Sequence, residues 1–446
     1  MHRRSFVATL LLGCLSLLPA AMAEAAPLRT VTLLTPGMRV NLEGAGLSFG
    51  ACDQPDKSSQ WTGMIGALQE SGYRFGGVIR ADGARVRLPK VLDTYAVDGD
   101  PQQANLFAME FSAAADVDGL AYKALEFAAC VRELRRYCGC DKIRVVAYSA
   151  GGLAARVYLQ NALPQVEYGG EIDRLITIAT PHMGSTTAEH WGDFLGTRAT
   201  AIQPGSATIQ RLNNELPLPA DVCFASIVVR GVAVGSTGLQ RVEKAAFAQY
   251  IEPETLARLP LDYRQGSDQV VNVASQNLAL CRCARRQETG FGPPVFYAVA
   301  RVKDPAPEDR SYFEPTVHEA APIDPQVVLL TRLLLADDAP FWTGFKDVDQ
   351  AGWVAWQAQQ HAYGAIEEAM RLQHTWSEVT STQVDRVQLL GAENGRWTFA
   401  FEGVSQSQWR SPPWVRSSGD FSGKLQLDVD RFGRVTSSEH WVRVSP

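Results

Sequence analysis

The chain has 446 residues, of which 46% are hydrophobic and 20% are charged, so it is long enough to bury a large core and to form two domains. Its formal net charge is −6 and its lysines and arginines are dispersed, which argues against a nucleic-acid-binding protein. Beyond the first two dozen residues, no apolar run is long enough to cross a bilayer.

The first 23 residues have the pattern of a secretory signal peptide. Two arginines precede the apolar run 6–18, and Ala21-Met22-Ala23 supplies the small residues of a cleavage site. This pattern predicts export, to the periplasm or as a secreted protein, with a mature chain that begins near Glu24. Two alternatives stay open, because the paired arginines also fit a twin-arginine signal and Cys14 lies in a lipoprotein-like box.

Seven of the eight cysteines lie after the signal pattern. An exported chain meets an oxidising compartment, so we predict disulfide bonds with one thiol left over, in a pairing that spacing does not reveal. The C-x-C spacing of two cysteine pairs is unusual for a zinc site, and we predict no metal. The seven are Cys52, Cys130, Cys138, Cys140, Cys223, Cys281 and Cys283.

The segment from residue 24 to residue 338 alternates short apolar strands with helical segments. This alternation is typical of an α/β domain with a mostly parallel sheet flanked by helices. The predicted helices are 61–70, 120–137 and 153–163. The predicted strands are 31–34, 73–79, 105–111, 143–148, 175–179, 225–229 and 295–299.

Residues 339–446 are predicted to form a small second domain of the α+β class. Apolar side chains recur at helical spacing over 353–370, which predicts a long helix. The period then drops to two, and Asn394-Gly395, a strong hairpin signal, precedes an aromatic stripe over 397–401. Such a stripe is more often the buried side of a small sheet than a ligand-binding face. The sequence assigns no role to this domain.

A candidate nucleophile lies in "VVAYSAGG", residues 145–152. Ser149 comes where a buried strand ends and a helix begins, as in the G-x-S-x-G turn of serine hydrolases. Ala147 replaces the first glycine of that motif and adds only a methyl group. The following helix N-terminus also favours developing negative charge. We predict that Ser149 is the nucleophile; the alternative is an ordinary strand-to-helix turn.

A catalytic serine needs a histidine base, and in this architecture the chain order is serine, acid, histidine. His318 follows the strand 295–299 across a loop and precedes the apolar run 327–335, so it is the predicted base. The alternatives that also follow the candidate acids fall in the second domain: His361, His374 and His440.

The predicted acid is Asp268, in "GSDQVVNVAS". It lies in a turn between two core strands, where a capping or turn aspartate is the alternative. Asp221 precedes a strand and would lie at the wrong end of the sheet, and Asp262 lacks the turn context.

Two backbone N–H groups are expected to form an oxyanion hole. One belongs to Ala150, directly after the nucleophile. The other lies in the loop after the first core strand, where Pro36 has no N–H; Met38 is the predicted donor and Gly37 the alternative.

Four segments together resemble lipases and esterases of the α/β-hydrolase superfamily. They are "VVAYSAGGLAARVYL", "ITIATPHMGS", "QPGSATIQRLN" and "SDQVVNVAS". The resemblance implies an α/β-hydrolase fold and a structural or pocket-lining role for His182. The chain departs from it at Pro36-Gly37, where many relatives have His-Gly. An insertion at 235–260, or the segment 186–200, is a candidate lid.

We therefore expect an exported serine hydrolase that cleaves carboxylic esters, of lipids or other apolar acyl groups, through Ser149, His318 and Asp268. Such a reaction requires no cofactor. The expected partner is a small-molecule or lipid ester, with transient contact with lipid surfaces, and the sequence indicates no protein partner. Two alternatives remain: an acyltransferase with the same triad, and a non-catalytic binding protein on the same fold.

Overall fold

The structure is a computed structural model that describes residues 29–38, 41–42, 47–48, 61–89, 103–190, 197–231, 249–253, 255, 266–284, 295–302, 316–337, 347–373, 377–409, 416–429 and 435–444. The predicted signal peptide lies outside the described residues. So do most of the candidate lid segment 235–260 and part of 186–200.

The main sheet has eight strands, and the central ones carry the candidate site. Its order is β10-β9-β8-β7-β1-β6-β4-β5, and every neighbouring pair is parallel except β4 with β5 at the edge. The strands in chain order are β1 (Thr30–Thr35), β2 (Asn41–Leu42), β3 (Leu47–Ser48), β4 (Phe75–Asp82), β5 (Arg85–Arg87), β6 (Leu106–Glu110), β7 (Lys142–Tyr148), β8 (Ile172–Ile178), β9 (Cys223–Arg230) and β10 (Val295–Arg301), of which β2 and β3 form a separate pair.

Helices cover both faces of this sheet, since parallel strands need crossover connections. The described α-helices are α1 (Thr62–Glu70), α2 (Ala113–Asp118), α3 (Leu120–Cys138), α4 (Ala150–Leu159), α5 (Thr187–His190), α6 (Thr197–Ala201), α7 (Ala207–Gln210), α8 (Val273–Gln276), α9 (Val317–Ala320), α10 (Pro325–Leu335) and α11 (Asp347–Gln373). Among the helices of the described ranges, none is both long and apolar enough to span a membrane.

Two hydrophobic cores lie on the two faces of the sheet. On one face the apolar sides of α3 and α4 pack against strand residues such as Leu33 and Val145. On the other face α1 and α10 pack against Leu34 and Val146. Successive strand residues point to opposite faces, so a run of apolar residues in a central strand contributes to both cores. This double burial explains why the central strands show no polar alternation.

The C-terminal residues form a separate antiparallel sheet covered by α11. The strands β11 (Ser377–Glu393), β12 (Arg396–Trp409), β13 (Arg416–Val429) and β14 (Val435–Val444) lie in sequential order. Asn394 and Gly395 join β11 to β12 with φ angles of 52° and 79°, as a two-residue turn with two positive φ values requires. The aromatic stripe at 397–401 is buried against α11 and belongs to a core. Arg301 at the end of β10 lies 3.9 Å from the ring centroid of Tyr363 in α11.

The cysteines differ from the sequence-based expectation. All six cysteines that the structure describes are free thiols, so none of the predicted disulfide bonds forms among them. Cys130 lies on the buried face of α3 and Cys223 begins β9, so the sheet-and-helix frame fixes the positions of their sulfurs. Burial raises the pKa of the Cys140 thiol to about 11, which keeps it protonated and unreactive. Cys52 lies outside the described residues.

Candidate active site

Ser149 occupies a strained turn between β7 and α4. Its φ and ψ are 51° and −129°, a conformation that L-residues rarely adopt. The Ser149 N–H donates to the Ile178 carbonyl at 2.9 Å, which ties the turn to the end of the neighbouring strand β8. The side chain therefore projects at the carboxyl edge of the sheet, where ligands bind in α/β folds. Helix α4 begins at Ala150, three residues earlier than its apolar periodicity predicts.

The two glycines after the serine are required by close backbone contacts. A Cβ on Gly151 would lie 2.3 Å from the Pro36 carbonyl oxygen. A Cβ on Gly152 would lie 2.2 Å from Thr180 Oγ1. Both distances are far below any van der Waals contact, so the sequence SAGG lets α4 start against two neighbouring loops. Ala147, the departure from the motif, is fully buried in the core beside α3 and α4.

His318 faces Ser149 from the short helix α9. Its Nε2 lies 2.9 Å from Ser149 Oγ. The helix start is fixed by a capping box, in which Thr316 Oγ1 accepts from the Glu319 N–H and Glu319 Oε2 accepts from the Thr316 N–H. Tyr148 donates its hydroxyl proton to the His318 carbonyl at 2.8 Å, and the two rings lie 5.0 Å apart. Tyr148 therefore holds His318 in two ways, by a hydrogen bond to its backbone carbonyl and by contact with the imidazole ring.

Asp268 completes a continuous line of hydrogen bonds. Its Oδ2 lies 2.6 Å from His318 Nδ1, and the side chain is fully buried. Its Oδ1 accepts from the backbone N–H groups of Val270 at 3.0 Å and Val271 at 2.6 Å. A carboxylate can only accept, so His318 Nδ1 carries the proton and Nε2 is left to accept from Ser149 Oγ.

The loop after β1 packs directly on the nucleophile. A Cβ on Gly37 would lie 2.8 Å from Ser149 Cβ, so glycine is needed there. Met38 follows in the same loop and packs against the core. Ala150 is the first residue of α4, where a backbone N–H has no partner within the helix. The predicted donor loop and Ala150 thus flank Ser149.

One family model matches the segment that contains the elbow. Residues 101–203 match the family described as "Putative serine esterase (DUF676)". No curated protein matches the chain.

Several solved structures are similar at low identity. The product of the Listeria innocua gene lin2722 is 12% identical, with a TM-score of 0.41 over 70% of this chain and 97% of that one. Phospholipase PlaB from Legionella pneumophila, in complex with thio-NAD, is 11% identical, with a TM-score of 0.40 over 93% and 89% of the two chains. The propeptide form of Bacillus licheniformis lipase BlEst2 is 12% identical, with a TM-score of 0.38 over 94% and 70%.

The chain has an α/β-hydrolase fold. The parallel sheet flanked by helices, the serine turn after β7 and the match to a serine esterase family confirm this prediction, and the antiparallel C-terminal sheet is separate as expected. The family match supports a serine hydrolase that acts on esters.

The competing site residues lie elsewhere in this fold. Asp221 contacts Tyr168 and Lys142 at the opposite end of the sheet. His440 Nε2 lies 3.7 Å from Glu368 Oε2 in the C-terminal unit, and His361 lies on α11. Asp262 and His374 lie outside the described residues. Within the described ranges, no three His, Cys, Asp or Glu side chains are placed to hold a metal ion.

His182 does not face Ser149. It is fully buried behind β8, with Nε2 3.0 Å from Thr177 Oγ1 and Nδ1 3.4 Å from an Arg156 nitrogen. Burial, together with the Arg156 charge, lowers the pKa of His182 well below its usual value. The structure therefore gives it a structural place, as the resemblance implied.

Proposed function

We propose that the chain is an exported serine hydrolase that cleaves carboxylic esters with an apolar acyl group. The observation that carries the proposal is the line of hydrogen bonds from Ser149 through His318 to Asp268, which starts at a strained serine and ends at a buried carboxylate. The Ile178 carbonyl at Ser149, the capping box and Tyr148 at His318, and two backbone N–H groups at Asp268 hold this line in place.

The first step of the proposed reaction is acyl transfer to the serine. As Ser149 Oγ attacks the ester carbonyl carbon, its proton passes to His318 Nε2. Asp268 keeps the imidazole in the tautomer that can accept that proton and stabilises the cation that forms. Collapse of the tetrahedral intermediate breaks the C–O bond, and His318 returns the proton to the leaving alcohol.

The negative charge of the intermediate falls on the former carbonyl oxygen. We assign its stabilisation to the N–H groups of Ala150 and Met38, which belong to the two segments in contact with Ser149. Donors fixed before the reaction need no reorganisation, and one such donor lowers the activation free energy by about 3 kcal/mol. The dipole of α4 acts in the same direction.

The second step releases the acyl group to water. His318 Nε2 takes a proton from a water molecule as its oxygen attacks the acyl carbon, and then returns the proton to Ser149 Oγ. The chemistry uses only side chains, backbone amides and water. If an alcohol took the place of that water, the same residues would act as an acyltransferase.

The place of action and the substrate class rest on the sequence. The signal pattern over residues 1–23 supports export, and the lipase-like motifs around Ser149 support an apolar acyl substrate. Contact with a lipid surface would be transient.

The test is turnover of a panel of p-nitrophenyl esters, triglycerides and phospholipids by the wild type and by Ser149→Ala. We expect hydrolysis by the wild type and a loss of at least about 10⁴-fold in Ser149→Ala with an unchanged circular dichroism spectrum. Ser71→Ala is the matched control, because Ser71 bonds only to the end of α1, and it should keep full activity.

Product analysis with added alcohols distinguishes hydrolase from acyltransferase. Free acid as the main product supports the proposal, and a dominant new ester in water would replace it with acyl transfer. Wild-type rates in Ser149→Ala, or no turnover by folded wild type on the whole panel, would contradict it.

A further inference from the structure

Gln276 is a fully buried side chain at the end of α8 whose amide contacts the proposed acid. Its Nε2 lies 3.1 Å from Asp268 Oδ2, the same oxygen that faces His318. Nε2 also lies 3.0 Å from the Val229 carbonyl and 3.1 Å from the Val271 carbonyl, and Oε1 accepts from the Val229 N–H at 2.6 Å. The carboxamide thus links a core strand to the acid.

The Gln276 amide occupies a position that β8 leaves vacant. On the edge of β9 that faces β8, the last ladder bond runs from the Ala179 N–H to the Ile227 carbonyl. The segment that follows β8 then turns away from β9. Strand groups two residues apart point the same way, so the N–H and C=O of Val229 face the vacated position. Gln276 bonds to both of them, as the peptide group of another strand residue would.

The orientation of this amide follows from its surroundings. Val229 N–H is a donor, so the amide oxygen must face it. The other end faces three acceptors, the Val229 and Val271 carbonyls and Asp268 Oδ2, which share the two hydrogens of Nε2. A flipped amide would set oxygen against three oxygens. The donor to Asp268 is therefore fixed by the sheet.

We propose that Gln276 is a positioning residue. It fixes the Asp268 carboxylate to the ladder of β9 and so holds the negative charge of that carboxylate next to the His318 ring. The proposal rests on the proposed function, since it assigns Gln276 a role in the same proton transfer. Gln276 itself contacts neither Ser149 nor His318 by hydrogen bond and acts through Asp268.

Replacing the amide by a carboxylate of the same shape isolates this role. Gln276→Glu keeps an acceptor for the Val229 N–H but, when ionised, sets a second negative charge beside Asp268. That charge favours the protonated imidazole of His318, so the free base forms only at higher pH. The acid limb of the kcat/KM profile should move upward.

Gln160→Glu is the matched control. Gln160 is also a buried glutamine, but its bonds run to Arg156 and to the carbonyls of Leu212 and Leu216. It places a carboxyl group at a buried amide away from Asp268, next to the Arg156 guanidinium. A general effect on folding of replacing a buried amide by a carboxyl group would appear in both variants.

The experiment is the pH profile of kcat/KM for p-nitrophenyl ester hydrolysis by the full chain. For Gln276→Glu we expect the acid limb to move upward by about one pH unit, so that kcat/KM at a given pH on that limb falls about tenfold, with Gln160→Glu unmoved. Equal movement in the control overturns the proposal. A protonated glutamate in Gln276→Glu would still donate to Asp268, so Gln276→Met, which removes the donor without adding charge, is the deciding variant, and an unmoved limb in folded Gln276→Met overturns the proposal.

A second measurement separates this proposal from the proposed function. In the Ser149→Ala background, NMR of labelled histidines reports the titration of the His318 ring without any turnover. Upward movement of that titration in Gln276→Glu supports the positioning role even if no ester is hydrolysed. No movement in Gln276→Met, which lacks the donor, overturns it even if the wild type is an active esterase.

Discussion

Two buried histidines in this fold have opposite neighbours. His318 Nδ1 meets the Asp268 carboxylate at 2.6 Å, whereas His182 Nδ1 meets the Arg156 guanidinium at 3.4 Å. A carboxylate can only accept and a guanidinium can only donate, so the proton sits on Nδ1 in His318 and on Nε2 in His182. The charged neighbour therefore selects the tautomer, and with it the ability to act as a base towards a hydroxyl.

The hydroxyl beside each histidine follows the same rule. Ser149 Oγ can donate to the bare Nε2 of His318 at 2.9 Å. Thr177 Oγ1 lies at a similar 3.0 Å from Nε2 of His182, but it accepts there and has its own acceptors in the Ala225 carbonyl and the Ser226 hydroxyl. Equal distances thus give one candidate nucleophile and one structural contact.

The same substitution at both histidines tests this contrast with the largest expected effect. We expect His318→Gln to lower kcat/KM at least about 10⁴-fold, because His318 is the base that bonds to Ser149 Oγ among the described residues. His182→Gln should change kcat/KM less than about threefold per folded molecule. The measurement is ester turnover normalised to folded protein. A similar loss in both variants would contradict the assignment of the base to His318 and of a structural role to His182.

The buried cluster around His182 can be weakened by removing its cation, Arg156. Arg156 is fully buried and donates to the Gln160 side chain, the Leu212 carbonyl and Asn213 Oδ1. Arg156→Met removes these three hydrogen bonds from the buried cluster, and we expect a loss of about 3 kcal/mol in the free energy of unfolding with little change in kcat. Urea unfolding measures the loss, and Arg136→Met at an exposed pair is the control.

A stability equal to that of the wild type in Arg156→Met would show that the cluster is not a structural one. A large fall in kcat at unchanged stability would give Arg156 a role in the reaction and would contradict a purely structural role for the cluster around His182.

The smallest effect is the pH dependence that His182 contributes. Its pKa in the folded state lies well below the usual value, so below about pH 6.5 only the unfolded chain takes up this proton. Stability is then lost as the pH falls from about 6.5, by at most about 1.4 kcal/mol per pH unit. His182→Gln should remove this part of the slope, as urea unfolding at pH 7.5, 6.5 and 5.5 would measure. An unchanged slope would show that His182 titrates alike in both states.

The residues of the proposed site could be predicted because chain order and strand ends carry the information. Ser149, Asp268 and His318 each follow a core strand, and parallel strands bring their carboxyl ends to one edge. Asn394-Gly395 was predictable because its turn chemistry is local. Gln276 was not, since a glutamine at the end of a short helix has no sequence pattern and its partners come from β9 and the acid loop.

The free thiols show a second kind of limit. Cysteine count and a signal pattern indicate a compartment, but the partner of each sulfur depends on packing that spacing does not encode. The tautomer of His182 was hidden for the same reason, because Arg156 reaches it from α4 across the core.

Covalent labelling of the folded full chain with a fluorophosphonate, followed by peptide mass spectrometry, tests whether Ser149 is an activated nucleophile. We expect one adduct, on Ser149, that is absent from Ser149→Ala and forms much more slowly in His318→Gln. No adduct on Ser149 in folded wild-type protein, or an equal rate of labelling in His318→Gln, would contradict the claim that His318 and Asp268 activate this serine.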